Sequence, residues 1–143
     1  MIVRPLVGLD DVRFGMSRDD VEQLLGEPEE RAVEIDATEQ TEAWYYWTRE
    51  LSLTFDAEAD WRLTTIDVGS PAAELRGKRL VGATLDELRA ALPEFALEWN
   101  GSEFEPIEVD DLSMFLWIED GVLDSIQWSV PLGADDEEQW PSA

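Results

Sequence analysis

Carboxylates are the side chains of this sequence that could do chemistry, because it has 34 Asp and Glu but no His or Cys. A pair of carboxylates can hydrolyse a glycosidic bond as general acid and base, but with so many candidates no pair stands out. Serine and threonine nucleophiles lack a histidine base, and only Lys78 could form a Ser–Lys pair. No phosphate-binding glycine loop or dinucleotide fingerprint occurs. We therefore expect a protein that is not an enzyme and uses no cofactor.

Two acidic runs are the candidates for metal binding. Asp110–Asp111 and Asp135–Glu138 could hold Ca²⁺ or Mg²⁺ loosely. Neither run has the Asp-x-Asp-x-Asp-Gly spacing of a calcium loop, and without Cys there is no thiolate site or disulfide. We expect no dedicated metal site.

The charge is uneven as well as large. The formal net charge is -24, and residues 90–143 contain fourteen acidic residues and no Lys or Arg. Such a surface repels nucleic acids and anionic membranes and attracts basic proteins. An alternative is that the acidity reflects the host, because one Lys against nine Arg is typical of salt-adapted or GC-rich organisms.

The location is inferred from what the sequence lacks. Residues 1–10 contain no apolar run of signal-peptide length, and no stretch reaches the ~20 apolar residues of a membrane span. With no Cys, the composition suits a reducing compartment. We expect a cytoplasmic protein.

Two similar segments organise the sequence. Phe14–Pro28 and Val81–Pro93 each place an apolar residue, Gly, and Ser or Thr before an acidic, helix-periodic stretch. Ser17 and Thr84 are predicted to cap two short helices, which end near Gly26 and Pro93. Strands are predicted at Arg31–Ala37, Glu42–Thr48, Leu51–Asp56, Arg62–Val68, Phe95–Trp99, Glu103–Val109, Leu112–Glu119 and Val122–Val130, with hairpin turns at Asn100–Gly101 and Asp120–Gly121.

These elements predict an α+β fold of two tandem units. Each unit would be a short helix followed by an antiparallel β-meander, with the helices packed on one face of the sheet. The expected bounds are 1–69 for the first repeat, 70–77 for a junction, 78–132 for the second repeat and 133–143 for an acidic tail.

The motif in Phe14–Pro28, and more weakly in Val81–Pro93, resembles the SmpA/OmlA lipoprotein module and the tandem-repeat beta-lactamase inhibitor protein family. The resemblance implies a sheet that offers one face to a protein partner. The lipidated Cys of the lipoproteins and the disulfides of the inhibitors have no counterpart here.

Aromatic residues on alternating strands are the candidate contact residues. In Leu112–Glu119, alternation places Phe115 and Trp117 opposite the apolar Leu112, Met114, Leu116 and Ile118. In Trp44–Trp47, either Tyr45 and Trp47 or Trp44 and Tyr46 would share that second face. Carboxylates expected around these rings are Glu34, Asp36, Glu103, Glu105, Glu108, Asp110 and Asp111. Alternatively, the aromatics are buried where the two halves meet or under the acidic tail.

Three hypotheses follow. The first is an immunity protein that neutralises a basic toxin domain, of nuclease or deaminase type, by covering its active site with aromatics and carboxylates. The second is a structural or housekeeping interaction module whose acidity reflects its host. The third is a small-ligand pocket between sheet and helices.

Overall fold

The computed structural model describes residues 1–134 and 137–141. Its helices are α1 (Arg18–Leu25) and α2 (Leu85–Ala91). Its strands are β1 (Ile2–Arg4), β2 (Gly8–Leu9), β3 (Val12–Arg13), β4 (Glu30–Ile35), β5 (Gln40–Tyr46), β6 (Leu51–Asp56), β7 (Arg62–Val68), β8 (Glu74–Leu75), β9 (Lys78–Arg79), β10 (Ile107–Val109), β11 (Met114–Glu119) and β12 (Val122–Ser129). Asp135 and Asp136 of the predicted acidic tail, with residues 142–143, lie outside the described residues.

A seven-stranded antiparallel sheet dominates the structure, with the order β10-β11-β12-β7-β6-β5-β4. Tight turns join consecutive strands of this sheet, and the residues in these turns favour that geometry. Asp120 and Gly121, between β11 and β12, both adopt positive φ (53° and 81°), as the predicted hairpin turn requires. The two halves of the chain meet where β12 pairs with β7, for example Gln127 with Asp67.

A second, smaller sheet lies against one face of the first, with the order β3-β2-β1-β8-β9. Strand β8 lies within the predicted junction, 70–77, and pairs in parallel with β1. Val3, Leu9 and Leu75 of this sheet belong to the same core cluster as the inner face of the large sheet. The buried Trp128 indole N–H donates to the Gly8 carbonyl oxygen at 3.2 Å, so a polar contact also joins the two sheets.

Both predicted helices are confirmed, together with their caps. Ser17 and Thr84 accept hydrogen bonds from the backbone N–H groups of Asp20 and Glu87, whose side chains close a capping box in return. The helices end at Gly26 and Leu92, the latter just before Pro93. At eight and seven residues, each depends on tertiary packing for its stability.

The prediction of two α+β units with helices covering the sheet is wrong. The structure is mostly β, with 41% of residues in strands against 17% helical. Within the described residues, each helix buries a single residue completely, Val21 or Leu88. The small sheet also packs against this core, and its two- and three-residue strands are too short to leave a periodic pattern in the sequence.

Two strand predictions in the second half also fail. Phe95–Trp99 is irregular, and of Glu103–Val109 only Ile107–Val109 forms a strand. The segment bonds to itself instead, since the Trp99 indole N–H donates to the Ser102 carbonyl at 3.0 Å. Pro106 has no backbone N–H group and cannot donate the hydrogen bond that strand pairing needs. The hairpin predicted at the Asn100–Gly101 turn therefore does not form.

Within residues 1–134 and 137–141, neither helix has the length or apolar character needed to cross a membrane.

Candidate functional site

Among the residues that the structure describes, one face of the seven-stranded sheet carries no helix and no second sheet, and we call it the open face. Register defines a row of directly opposed residues across it. In strand order this row is Glu108, Phe115, Gln127, Asp67, Ser52 and Tyr45. Their inward-facing neighbours, such as Ile66, Val68 and Ile126, are fully buried, so alternation separates an apolar core face from a mixed polar and aromatic face.

The open face resolves which aromatic pair of Trp44–Trp47 faces outward. Trp44 and Tyr46 are buried in the core, at 3% and 2% exposure. Tyr45 and Trp47 lie on the other side, with their rings stacked at a centroid distance of 4.6 Å and an interplanar angle of 5°. Trp47 is 55% exposed. The alternative in which all the candidate aromatics are buried therefore fails for this pair.

Phe115 and Trp117 are also on the open face, as the alternation predicts. Both are half-buried, while Met114, Leu116 and Ile118 are in the core. The Trp117 indole N–H donates to the Gln127 side-chain oxygen at 3.0 Å, which fixes the ring on the sheet surface. Nearby, Phe104 is 92% exposed.

A β-bulge places one further carboxylate on the open face. Trp117 pairs with Ser125 and Ile118 with Leu123, so Asp124 between them has no partner on β11. A bulge redirects the extra side chain. Here it brings Asp124 close enough to Asp67 on β7 for their charges to repel, because Asp124 contributes to the raised pKa of Asp67.

Two recesses on the open face share Asp67, Asp124 and Ser125. The Trp47 recess, of about 420 Å³, is also lined by Tyr45, Trp47 and Glu50. The Trp117 recess, of about 770 Å³, is also lined by Glu103, Phe104, Trp117 and Glu119. Each therefore has aromatic rings at one side and carboxylates at its centre and rim.

Asp67 is a weaker acid than an ordinary aspartate. Burial among the neighbouring strands, and to a smaller extent repulsion from Asp124, together raise its pKa from 3.8 to about 6. The cause is loss of hydration of the charged form, which is the usual reason for a high carboxyl pKa. Carboxyl groups perturbed in this way are concentrated at functional sites.

No Lys or Arg of the described residues lines either recess, although all ten of the chain's basic residues are described. Five arginines instead lie over aromatic rings elsewhere: Arg18 on Trp61, Arg31 on Trp44, Arg49 on Tyr46, Arg62 on Trp140 and Arg76 on Phe95. The rings of the open face have carboxylates around them but no such cation.

The other predicted acidic residues are divided between the open face and turns. Glu103 lines the Trp117 recess, and Glu108 lies opposite Phe115 at the β10 edge. Glu34 is opposite Thr41 near the β4 edge, far along the sheet. Asp110 and Asp111 form a 3₁₀ turn after β10, away from both recesses.

Two predicted site residues serve local structure instead. Asp36 accepts from the Thr38 and Glu39 N–H groups at 2.8 and 2.7 Å, and these bonds lower its pKa. Glu105 accepts a hydrogen bond from the Asn100 side chain within the 100–105 loop. In the described part of the chain, no group of three or more carboxylates is arranged to hold a metal ion.

Sequence reasoning missed the residues at the centre of the site, Asp67, Asp124 and Glu50. One signal for Asp67 was available, since it lies between Ile66 and Val68 near the end of a predicted strand, and Asp is disfavoured in strands. No comparable signal marked Asp124, because its position depends on the bulge. In comparisons with known proteins, no family model, no curated protein and no solved structure matches this chain.

Proposed function

We propose that this protein is a non-catalytic inhibitor that covers a basic surface of another protein with its open face. The most specific form of the proposal is an immunity protein that blocks the active site of a basic toxin domain of nuclease or deaminase type. The observation that carries it is the pair of aromatic-walled recesses that share Asp67 and contain no cation of the chain itself.

The physical roles divide between two kinds of residue. Tyr45, Trp47, Phe115 and Trp117 supply rigid apolar area for the centre of an interface, where aromatic residues dominate binding energy. Glu50, Glu103, Glu119 and Asp124 surround them and attract a basic partner over a distance. A nuclease binds phosphates through basic residues, so a carboxylate surface of this kind competes for the same groups.

The resemblance of Phe14–Pro28 to modules that present a sheet face to a protein partner agrees with this proposal. It remains an expectation that rests on the sequence motif alone.

Photo-crosslinking tests the proposal. A photoreactive phenylalanine analogue at Thr54, half-buried beside the recess row on β6, is compared with one at Leu24, an exposed position on α1. In the source cell, we expect a basic protein to crosslink from position 54 and not from position 24. The captured protein's activity is then measured with and without this chain.

Loss of that activity on addition of this chain would support inhibition. Equal crosslinking from both positions, or an acidic partner, would contradict the proposal and favour a housekeeping module whose charge reflects its host.

A further inference from the structure

Asp67 is a carboxylate without a donor. No backbone N–H and no side chain of the described residues donates a hydrogen bond to it, and no Lys or Arg lies within ion-pair distance. Its cross-strand neighbours are Ser52 on β6 and Gln127 on β12. The side chain is half-buried and lines both recesses, so its carboxylate can accept a hydrogen bond from water or from a donor on another molecule.

The Trp47 recess also offers a flat aromatic surface beside this carboxylate. Tyr45 and Trp47 stack in parallel, and both line the recess with Asp67. Elsewhere in the molecule, an aromatic ring beside solvent is repeatedly covered by a guanidinium, as where Arg18 and Arg31 each lie 4.8 Å from an indole centroid. The Tyr45–Trp47 pair offers the same kind of aromatic surface, and no cation of the described residues lies over it.

We propose that the Trp47 recess binds one arginine side chain of the partner, with its guanidinium against the Tyr45–Trp47 pair and hydrogen-bonded to Asp67. This inference rests on the proposed function and names the group that the open face recognises.

Guanidinium fits the recess better than ammonium for two reasons. Its planar face stacks on aromatic rings, and its five N–H donors are directed in the plane, so one group can bond Asp67 and Asp124 together. Ser52 and Ser125 hydroxyls line the same recess and can accept from the remaining N–H groups. An ammonium is a compact, strongly hydrated charge that cannot stack in this way.

Binding should depend on pH because Asp67 must be ionised. The charged groups that face it are all acidic: Asp124 on β12, Glu50 before β6, Glu103 in the 100–105 loop and Glu119 on β11. Of these, Asp124 contributes to the raised pKa of Asp67, and a bound cation would oppose that effect. With a pKa of about 6, Asp67 is mostly charged at neutral pH and mostly neutral one unit below that value.

The test uses Nα-acetylarginine amide as a probe, titrated into the full chain at about 150 mM salt and about pH 7.5. Indole and backbone N–H signals in NMR spectra report where it binds. We expect shifts at Trp47 and Ser125, about 3- to 30-fold weaker binding of the lysine analogue, since stacking is lost, and no binding of the uncharged citrulline analogue. At about pH 5 the arginine affinity should fall several-fold.

Matched variants separate the recess from bulk charge. Asp67→Asn should abolish most of the shift and its pH dependence. Glu34→Gln removes the same charge from an exposed position near the β4 edge and should leave both unchanged. Equal binding of arginine and lysine probes, shifts located elsewhere on the acidic surface, or full binding by Asp67→Asn would overturn the inference.

The outcome is separable from that of the proposed function. If a basic protein crosslinks to the open face but the probe shows no arginine preference, only the recess assignment fails. If the recess binds the arginine probe but no basic protein crosslinks, the inhibitor proposal fails and the arginine site stands.

Discussion

Aromatic residues have opposite environments on the two faces of the seven-stranded sheet. On the inner face, Trp44 and Tyr46 are buried, and Arg31 and Arg49 cover them from solvent. On the open face, Tyr45 and Trp47 come from the same stretch of chain, yet they are stacked on each other beside carboxylates, with no cation over them. The inner-face rings pack within the chain, although the buried Trp44 indole N–H has no hydrogen-bond partner among the described residues. The open face leaves Trp47 and several carboxylates accessible to solvent.

From this difference, we expect different residues to govern folding stability and partner binding. Residues that complete the inner face should matter for folding and little for binding. Residues of the open face should matter for binding and contribute little to folding, or oppose it, as the raised pKa of Asp67 indicates. Three predictions test that division and one tests the overall charge, in order from the largest expected effect to the smallest.

Trp44→Ala should lower the free energy of unfolding by about 3–5 kcal/mol, because it empties a buried indole site packed 4.8 Å from the Phe55 ring. Trp47→Ala should cost no more than ~1 kcal/mol, the value of one aromatic pair at an exposed site. Urea denaturation of both variants measures the contrast. Similar losses for the two would mean that the faces do not differ as described.

Asp67→Asn should stabilise the protein by ~1–2 kcal/mol at neutral pH, allowing for solvent screening of a partly exposed group. The pKa of Asp67 is raised to about 6 in the folded state against 3.8 normally. The folded protein therefore binds more protons between those values, and its stability falls as pH rises from about 4 to about 6.

Chemical denaturation across pH measures this effect. The wild-type contribution should disappear in Asp67→Asn and persist in Glu34→Gln, which lies outside both recesses. A variant with unchanged or lower stability at neutral pH would show that the Asp67 carboxylate is not strained by its surroundings.

Added salt should raise the melting temperature by about 3–5 °C between ~20 and ~500 mM NaCl, equivalent to roughly 1 kcal/mol. A net charge of -24 makes the folded chain repel itself, and screening weakens that repulsion. Differential scanning calorimetry at both salt concentrations tests it. A flat or falling melting temperature would show that the charges are already compensated.

Arg31→Met should have the smallest effect, a loss of ~0.5–1 kcal/mol, because the contact over Trp44 lies at the edge of the core. Its ion pair with Glu22, at 3.7 Å and partly exposed, adds little. Thermal melts should show this loss without any change in binding by the open face. Loss of partner binding in Arg31→Met would contradict the assignment of this arginine to the inner face alone.

Part of this architecture was predictable from the sequence alone. Helix caps at Ser17 and Thr84 depend on residues three positions apart, and strand faces such as that of Phe115 and Trp117 depend on a two-residue alternation. Signals of this range survive in a single sequence. The expected helix cover failed because a small sheet of two- and three-residue strands leaves no such signal.

The candidate site shows the same limit. Tyr45, Trp47, Phe115 and Trp117 were predictable as face residues, but the choice of Tyr45 and Trp47 over Trp44 and Tyr46 required knowing which side is covered. Asp36 and Glu105, predicted at the site, instead bond within their own turns. The sequence around a carboxylate does not by itself show whether an N–H group of the same turn will donate a hydrogen bond to it.

The sequence by itself determined the charge, the absence of His and Cys, the two capped helices and the alternation of most strands, since these depend on composition or on neighbours along the chain. Only the tertiary structure decided that both halves share one sheet and that its open face brings Asp67, Asp124 and the Tyr45–Trp47 pair together. Those residues lie on strands far apart in sequence, and their meeting depends on register and on one β-bulge.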